Sequence, residues 1–431
     1  MSRAAVAAAL LTPALLAPMA VAAQDVPDPV YAAQGSLEVP GTVDPFMRPD
    51  RPELAALGVR LGGFTLRPSV ELSAIANSNV RLLPTDQGAD VGIILQPTVT
   101  LASDSGRYRL RAFATGSAVR YASKSTENVE QLFGGLSFDR PLGATSSVRV
   151  NVEGGRFVED RAALFTPRNI RSPAEFDRLY GQVSGVVAPG RFVIAPSFEV
   201  DRLAYRDVRL EDAPRVTVDQ SERSFARYNP ALVVGYTVSA DTTVFAGAEA
   251  NRRDFDAARR GVDRDSSGWV LFAGARFRPT PLTRLEVAAG YLKQTYREPL
   301  KGPSAAYFRA DFVWVPTGLT TVRFDVRRDV SETGAVLAGG ATRTRVGGGV
   351  MHELLRNLIL SASAEYTRFD FSTLDRVDDR IAANVEARYV ANRKFDVFAR
   401  ADQVFVSTGD PIAFDPEFSR TRVVAGVAWK L

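Results

Sequence analysis

From Gly63 to its last residue the chain repeats one pattern, an alternation of apolar and polar side chains with period two. In "RIAANVEARY", Ile381, Ala383, Val385, Ala387 and Tyr389 stand opposite Arg380, Asn384, Glu386 and Arg388. In "DVGIILQPTVTLA", Val91, Ile93, Leu95, Pro97, Val99 and Leu101 stand opposite Asp90, Gln96, Thr98 and Thr100. Successive side chains of a strand point to opposite faces, so each stretch is a strand that is greasy on one side and wet on the other. Most run ten to fifteen residues. Strands of soluble sheets average about five or six. A tilted strand crossing a membrane needs about nine to eleven, with extensions past the interfaces.

Eighteen such stretches can be counted, the first opening near Gly63 and the last near Phe418. Their connectors alternate in length. Short turns such as "SDSG" (Ser103–Gly106), "APG" (Ala188–Gly190) and "NRK" (Asn392–Lys394) trade places with long polar loops such as Arg161–Glu175, Arg206–Glu222 and Val330–Gly340. Tight turns on one side and long loops on the other are expected of an outer-membrane barrel. The chain ends inside a strand, "RVVAGVAWKL", with Val423, Ala425, Val427, Trp429 and Leu431 on one apolar face. Such an ending requires a partner strand, and pairing with the first strand closes the cylinder and leaves no edge in lipid. A soluble β-sandwich also alternates, but strand length, loop asymmetry and the closing strand favour the barrel. Pro68, Pro97, Pro196 and Pro230 fall inside strands on the outward face, where each removes a ladder donor and a local bulge is expected.

The reading is therefore all-β: a transmembrane antiparallel up-and-down barrel of about eighteen strands over residues 59–431. Residues 1–23 have the layout of a cleaved signal peptide, with Arg3, an Ala/Leu-rich run and small residues at Ala20–Ala23. The Pro- and Asp-rich stretch 24–58 lacks periodicity and reads as an extended periplasmic arm. With no cysteine, an exported protein depends on packing and hydrogen bonds alone. Lys+Arg 53 against Asp+Glu 49, interleaved, gives no basic footprint for nucleic acid.

On the inward register the candidate pore-lining residues are Arg67, Glu71, Arg109, Arg111, Arg149, Glu153, Glu199, Asp201, Glu249, Glu286, Arg323, Asp325, Arg327, Glu365, Glu386, Arg388, Asp396 and Arg400, with Asp402. Both signs line the wall, a composition suited to cross-strand salt bridges and to hydrogen bonding with hydroxyl-rich solutes. Tyr108, Phe192, Phe277, Trp314 and Trp429 near the inner ends of strands, and Trp269 near an outer end, face outward as a membrane girdle. Two loops, Arg161–Glu175 and Arg206–Glu222, are long enough to fold inward and narrow the pore.

An enzyme is the rival class. The sole histidine, His352, lies at an inner turn, so the sequence offers no Ser–His pair in the lumen. No catalytic residue, metal cluster or cofactor motif stands out, and none is assigned.

Arg51–Phe64, "RPELAALGVRLGGF", continuing through "LRPSVELSAIANSNV" to Val80, resembles the opening motif of the putative β-barrel porin 2 family of bacterial outer-membrane proteins. The run Gly426-x-x-Trp429-x-Leu431 also resembles the carboxy-terminal signal read by the outer-membrane assembly machinery, although it ends on Leu. The family resemblance implies a channel associated with exopolysaccharide export. Its partners would be outer-membrane lipid, the assembly machinery, periplasmic polysaccharide-export proteins and a hydrophilic polymer. General diffusion of small hydrophilic solutes is the alternative.

Overall fold

The computed structural model describes residues 53–83, 88–103, 105–161, 169–258, 261–332, 339–371, 375–409 and 417–431. Signal segment 1–23 and most of arm 24–58 lie outside them. Eighteen long strands follow one another in the chain: β1 (Phe64–Asn77), β2 (Asp90–Ser103), β3 (Arg109–Tyr121), β4 (Val129–Pro141), β5 (Ser146–Val158), β6 (Glu175–Val187), β7 (Phe192–Tyr205), β8 (Phe225–Ser239), β9 (Thr242–Phe255), β10 (Ser266–Thr280), β11 (Thr283–Tyr296), β12 (Ser304–Thr317), β13 (Thr320–Ser331), β14 (Ala341–Leu355), β15 (Leu358–Phe371), β16 (Val377–Val390), β17 (Phe395–Thr408) and β18 (Phe418–Lys430). Each pairs antiparallel with its chain neighbours, and β18 pairs with β1 from Ser69↔Lys430 to Asn77↔Arg422, so the sheet closes. Below that pairing the short strand Val59–Leu61 turns back on Leu66–Phe64 and covers the part of β1 that β18 does not reach. Among the described residues no helix is long and apolar enough to cross a membrane.

Period two sets the two faces. Leu72, Val91, Ile93, Leu95, Val385, Val423 and Val427 are exposed on the outside, while Glu71, Ser73, Gln96, Glu199 and Asp201 are buried on the inside. A soluble sandwich would do the opposite, because its apolar faces must meet each other. An apolar band running around the cylinder, on strands of 12 to 15 residues, is the surface that hydrocarbon covers. With strands about 4.8 Å apart and tilted about 40°, eighteen of them make a cylinder roughly 36 Å across.

The four strand prolines behave otherwise than expected. All face outward, but none shifts the register; instead the ladder falls silent on one flank, as between Leu95↔Ala118 and Thr98↔Thr115 around Pro97, and between Ser184↔Ser197 and Val187↔Ile194 around Pro196. The lipid-side position lets the strand lose a donor without twisting, so no bulge forms. The register shifts lie instead at inner hairpin ends, between Thr237 and Ser239, Phe277 and Thr280, Trp314 and Thr317, and Glu353 and Leu355.

The inner wall is not uniformly wet. A ladder of rings climbs from mid-wall to the outer mouth: Phe113 against Phe133, Phe133 stacked on Phe157, Phe157 on Phe176, and Phe176 against Tyr205, at centroid distances of 6.1, 5.1, 5.6 and 5.1 Å. A second group, Phe245, Phe272 and Tyr307, packs with Val193, Val233 and Leu292. The rings lie flat because inward glycines stand beside them. A Cβ on Gly247 would meet the Phe272 ring at 2.4 Å, and one on Gly135 the Phe113 ring at 2.7 Å.

Candidate functional site

The charges of the inner wall are arranged in rows. Glu286, Asp311 and Asp325 sit opposite one another on β11, β12 and β13, and one step toward the mouth Arg309, Arg327 and Arg345 do the same on β12, β13 and β14. Like charges directly opposite each other repel. Here the two rows cross-link: Arg309 reaches Glu286 at 2.5 Å, Arg276 reaches Glu286 at 2.6 Å, and Arg345 reaches Glu365 at 2.8 Å and Asp325 at 3.7 Å. Gly347, inward on β14, leaves space for the Asp325 carboxylate.

Elsewhere the same logic recurs on smaller groups. Asp139 accepts from Arg109 at 3.1 Å and Arg149 at 2.8 Å. Asp201 accepts from Arg178 at 2.8 Å, Glu199 accepts from Arg227 and from the Tyr180 hydroxyl, and all but Arg178 are deeply buried. At the closing seam Arg388 lies along the wall from β16 to β1, bonded to Glu386 at 3.0 Å and Glu71 at 3.2 Å and passing over the Phe398 ring at 4.8 Å. That reach spans β17 and β18, and the small residues Gly426 and Ala428 on β18 allow it. Asp396 takes Lys430 at 2.6 Å, and Asp402 takes Arg422 at 2.9 Å.

All nineteen residues singled out for the pore stand on the inward face of their strands. Arg67, Arg111, Glu153, Glu249 and Arg323 share that register without belonging to the groups just described. Asp139, Arg178, Arg227, Arg276, Arg309, Asp311 and Arg345 were missed, although following each strand's alternation to its end identifies them. The aromatic candidates face outward: Tyr108 packs on Phe138 at 5.9 Å, Phe192 on Tyr236 at 5.3 Å and Trp269 on Tyr291 at 5.9 Å, while Trp429 stands between Phe395 and Val70. Phe277 and Trp314 share the outward register. His352 sits inside β14, on its outward face, with Nδ1 2.9 Å from the Thr320 hydroxyl. Among the described residues no group of three or more His, Cys, Asp or Glu is placed to hold a metal.

The outer mouth carries the residues that sequence did not signal. Asp160, just past β5, accepts from both terminal nitrogens of Arg420 on β18, at 3.0 and 3.2 Å, and both side chains are buried. Five strand spacings separate β5 from β18, a chord of roughly 27 Å on this cylinder. Two side chains bridge roughly 10 Å. The loop after β5 therefore leaves the wall and enters the lumen. Its next residue, Arg161, forks onto Glu127 at 2.6 and 2.8 Å, and Glu159 accepts from Tyr205 at 3.1 Å and Arg223 at 2.5 Å. Burial works against charge on Arg223, yet Glu159 and Tyr205 outweigh it and hold the guanidinium above its ordinary pKa.

Two further loops fold in. After β13, Glu332 meets Arg253 of β9, Arg264 and the Tyr296 hydroxyl of β11. After β1, Leu82 is fully buried against Val404, Val406 and Phe418 on the inner wall, its backbone in the left-handed region at φ 58°. Asn79 ties that turn, donating to Leu83 and Ser419 carbonyls at 2.9 and 3.0 Å and accepting from the Leu83 amide. Of the two loops expected to narrow the pore, the first turns inward at Arg161, and its residues 162–168 lie outside the described ones. The second places Glu211 on Arg81 at 3.1 Å, which ties it to the loop after β1.

A family described as putative beta-barrel porin 2 matches residues 51–431. The chain belongs to that family. It is thus a porin-like outer-membrane β-barrel channel. Among curated proteins none matches the sequence. Solved structures similar to this porin 2 member include a BenF-like porin from Pseudomonas fluorescens Pf-5, at 12% identity over 86% of this chain and 100% of that one, with TM-score 0.43. OccK2 (OpdF) of Pseudomonas aeruginosa, in complex with glucuronate, matches at 10% identity over 85% and 98%, TM-score 0.43. The siderophore receptor PirA of Pseudomonas aeruginosa matches at 9% identity over 85% and 80%, TM-score 0.44.

Proposed function

We propose that the channel exports a hydroxyl-rich polymer, an exopolysaccharide, through a lumen whose outer mouth opens on demand. The observation that supports this most is the set of loops drawn across the mouth by ion pairs: Asp160 on Arg420, Arg161 on Glu127 and Glu332 on Arg253. Each can be exchanged for contacts with a passing solute. The nineteen inward charges named from the sequence are proposed to line the path, where paired guanidinium and carboxylate groups hydrogen-bond hydroxyls without gripping one ion. The six outward aromatics are proposed as the girdle. The chain is proposed to reach the outer membrane after cleavage of residues 1–23, and arm 24–58 to meet a periplasmic export partner.

General diffusion of small hydrophilic solutes is the second reading, favoured by the mixed signs of the wall. Conductance of the purified protein in planar bilayers, together with extracellular polymer in a deletion strain, separates the two. Low resting conductance and lost polymer support export; high steady conductance with normal polymer supports diffusion. Deleting residues 24–58 is expected to leave insertion intact and impair transport, and unchanged transport removes the role given to the arm.

A further inference from the structure

Around the closing seam one inward guanidinium stands outside the ion pairs of the described residues. Arg388 takes Glu71 and Glu386, Lys430 takes Asp396, Arg422 takes Asp402, and Arg420 takes Asp160 from the loop after β5. Arg400 faces inward on β17, level with Glu386 and Val424, and is buried. Among the described residues it makes no ion pair, and its Nε and Nη1 have no hydrogen-bond partner. The Phe398 ring lies 5.5 Å from the guanidinium carbon. Glu386, level with Arg400, and Glu71 act on it electrostatically, yet its buried Nε and Nη1 donors stay unbonded, which is costly, and the aromatic face beneath leaves the planar donor edge open. The chemistry that matches that edge is a carboxylate, which accepts two parallel N–H bonds. Arg420, on the adjacent strand, already binds one in this way, supplied by Asp160.

We propose that Arg400 and Arg420 form a binding site for the carboxylate of an acidic sugar in transit, and that Asp160 fills the Arg420 half as an internal carboxylate which the solute displaces. This rests on the channel reading above and names its solute class. Arg400 stands level with Val424 and Arg420 with Val404, so the two lie about four residues apart along the wall, roughly 14 Å. A monomeric acid contacts one at a time; an oligomer spans both. Leu82 packs on Val404 and Val406 directly above Arg400, and Asp160 covers Arg420, so the loops that shut the mouth also cover the site. Binding and opening are thereby coupled: a solute that reaches the arginines takes the place of the groups that hold the loops in.

The test is single-channel recording of the mature protein in planar bilayers in KCl, titrated with sodium glucuronate, with neutral glucose as the control. Glucuronate, and not glucose, is expected to change the current with a saturable half-effect concentration. Arg400→Gln raises that concentration by at least about tenfold, and Asp160→Asn, which removes the internal competitor, lowers it by about tenfold. Arg400→Lys keeps the charge without the fork and falls between. Where Arg400→Gln fails to insert, as read from its heat-modifiable migration, Asp160→Asn carries the test because Asp160 lies outside the wall. Tighter response to trigalacturonate than to glucuronate assigns the site to a polymer, and equal response to a small acid. A half-effect concentration within twofold of wild type in both Asp160→Asn and an inserted Arg400 variant, or an equal effect of glucose, overturns the site. A wild-type protein that passes no current in KCl overturns the channel reading instead.

Discussion

Val385 and Asn384 are neighbours in β16 whose side chains belong to different solvents, the first exposed on the apolar exterior and the second inside. Each residue rises about 2.5 Å along the membrane normal when a strand with 3.3 Å per residue is tilted about 40°. Tyr389, four residues below on the same outward face, then lies about 10 Å beneath Val385, and Ile381 about 10 Å above it. In a hydrocarbon band about 25 Å tall, with Tyr389 at its lower edge, Val385 falls within roughly 3 Å of the midplane. Arginine there costs about 2–4 kcal/mol, trimmed by snorkelling toward the nearer interface, so Val385→Arg should destabilise by about 2–3 kcal/mol. Asn384→Arg places the same side chain in the lumen beside the Asp402 and Arg422 pair and should cost about 1 kcal/mol or less. Urea-driven unfolding and refolding in phospholipid vesicles measures both. Equal costs within about 0.5 kcal/mol, or a larger cost for Asn384→Arg, refute the assignment of faces.

Three further substitutions probe closure and mouth. Gly426→Val puts a Cβ 2.5 Å from both the Leu72 carbonyl oxygen and the Ser73 Cβ; it should weaken the β18–β1 seam by ~1–3 kcal/mol and diminish the heat-modifiable folded band, and unaltered migration would argue against closure there. Glu127→Ala strands the buried Arg161, costing about 3–5 kcal/mol at the loop root, so the channel should spend more time in its highest conductance level. Leu82→Ala empties the pocket under Val404 and Val406 while keeping the left-handed backbone, and exchange of the Leu83 amide should accelerate by at least about 30-fold.

How much of this was readable beforehand follows from where the physics is local. Alternation is a property of a strand and its two solvents, so Ile381 to Tyr389 announced their faces without any partner being known, and the strand starts counted from sequence fall within two residues of those observed. Inward charges were equally visible where a strand's polar register held arginines and carboxylates. Their pairing was not. Arg388 and Glu71 are 317 positions apart, and they meet only because the last strand closes on the first and is small at Gly426 and Ala428. Asp160 and Arg420, 260 apart, meet because a loop without periodicity turns inward. Glu127 reads as a solvated loop charge and is instead the buried anchor of Arg161. The prolines misled in a different way: a missing donor predicts a broken ladder, but on a lipid-facing flank the strand keeps its register past the break.

The chain has no cysteine, so single cysteines can be placed one at a time from 381 to 388 in vesicle-inserted protein and challenged with a membrane-impermeant thiol reagent. A lipid-clad cylinder with a watery interior predicts that Ala382, Asn384, Glu386 and Arg388 positions label while Ile381, Ala383, Val385 and Ala387 positions do not. Uniform labelling along the strand, or preferential labelling of the odd positions, would contradict it.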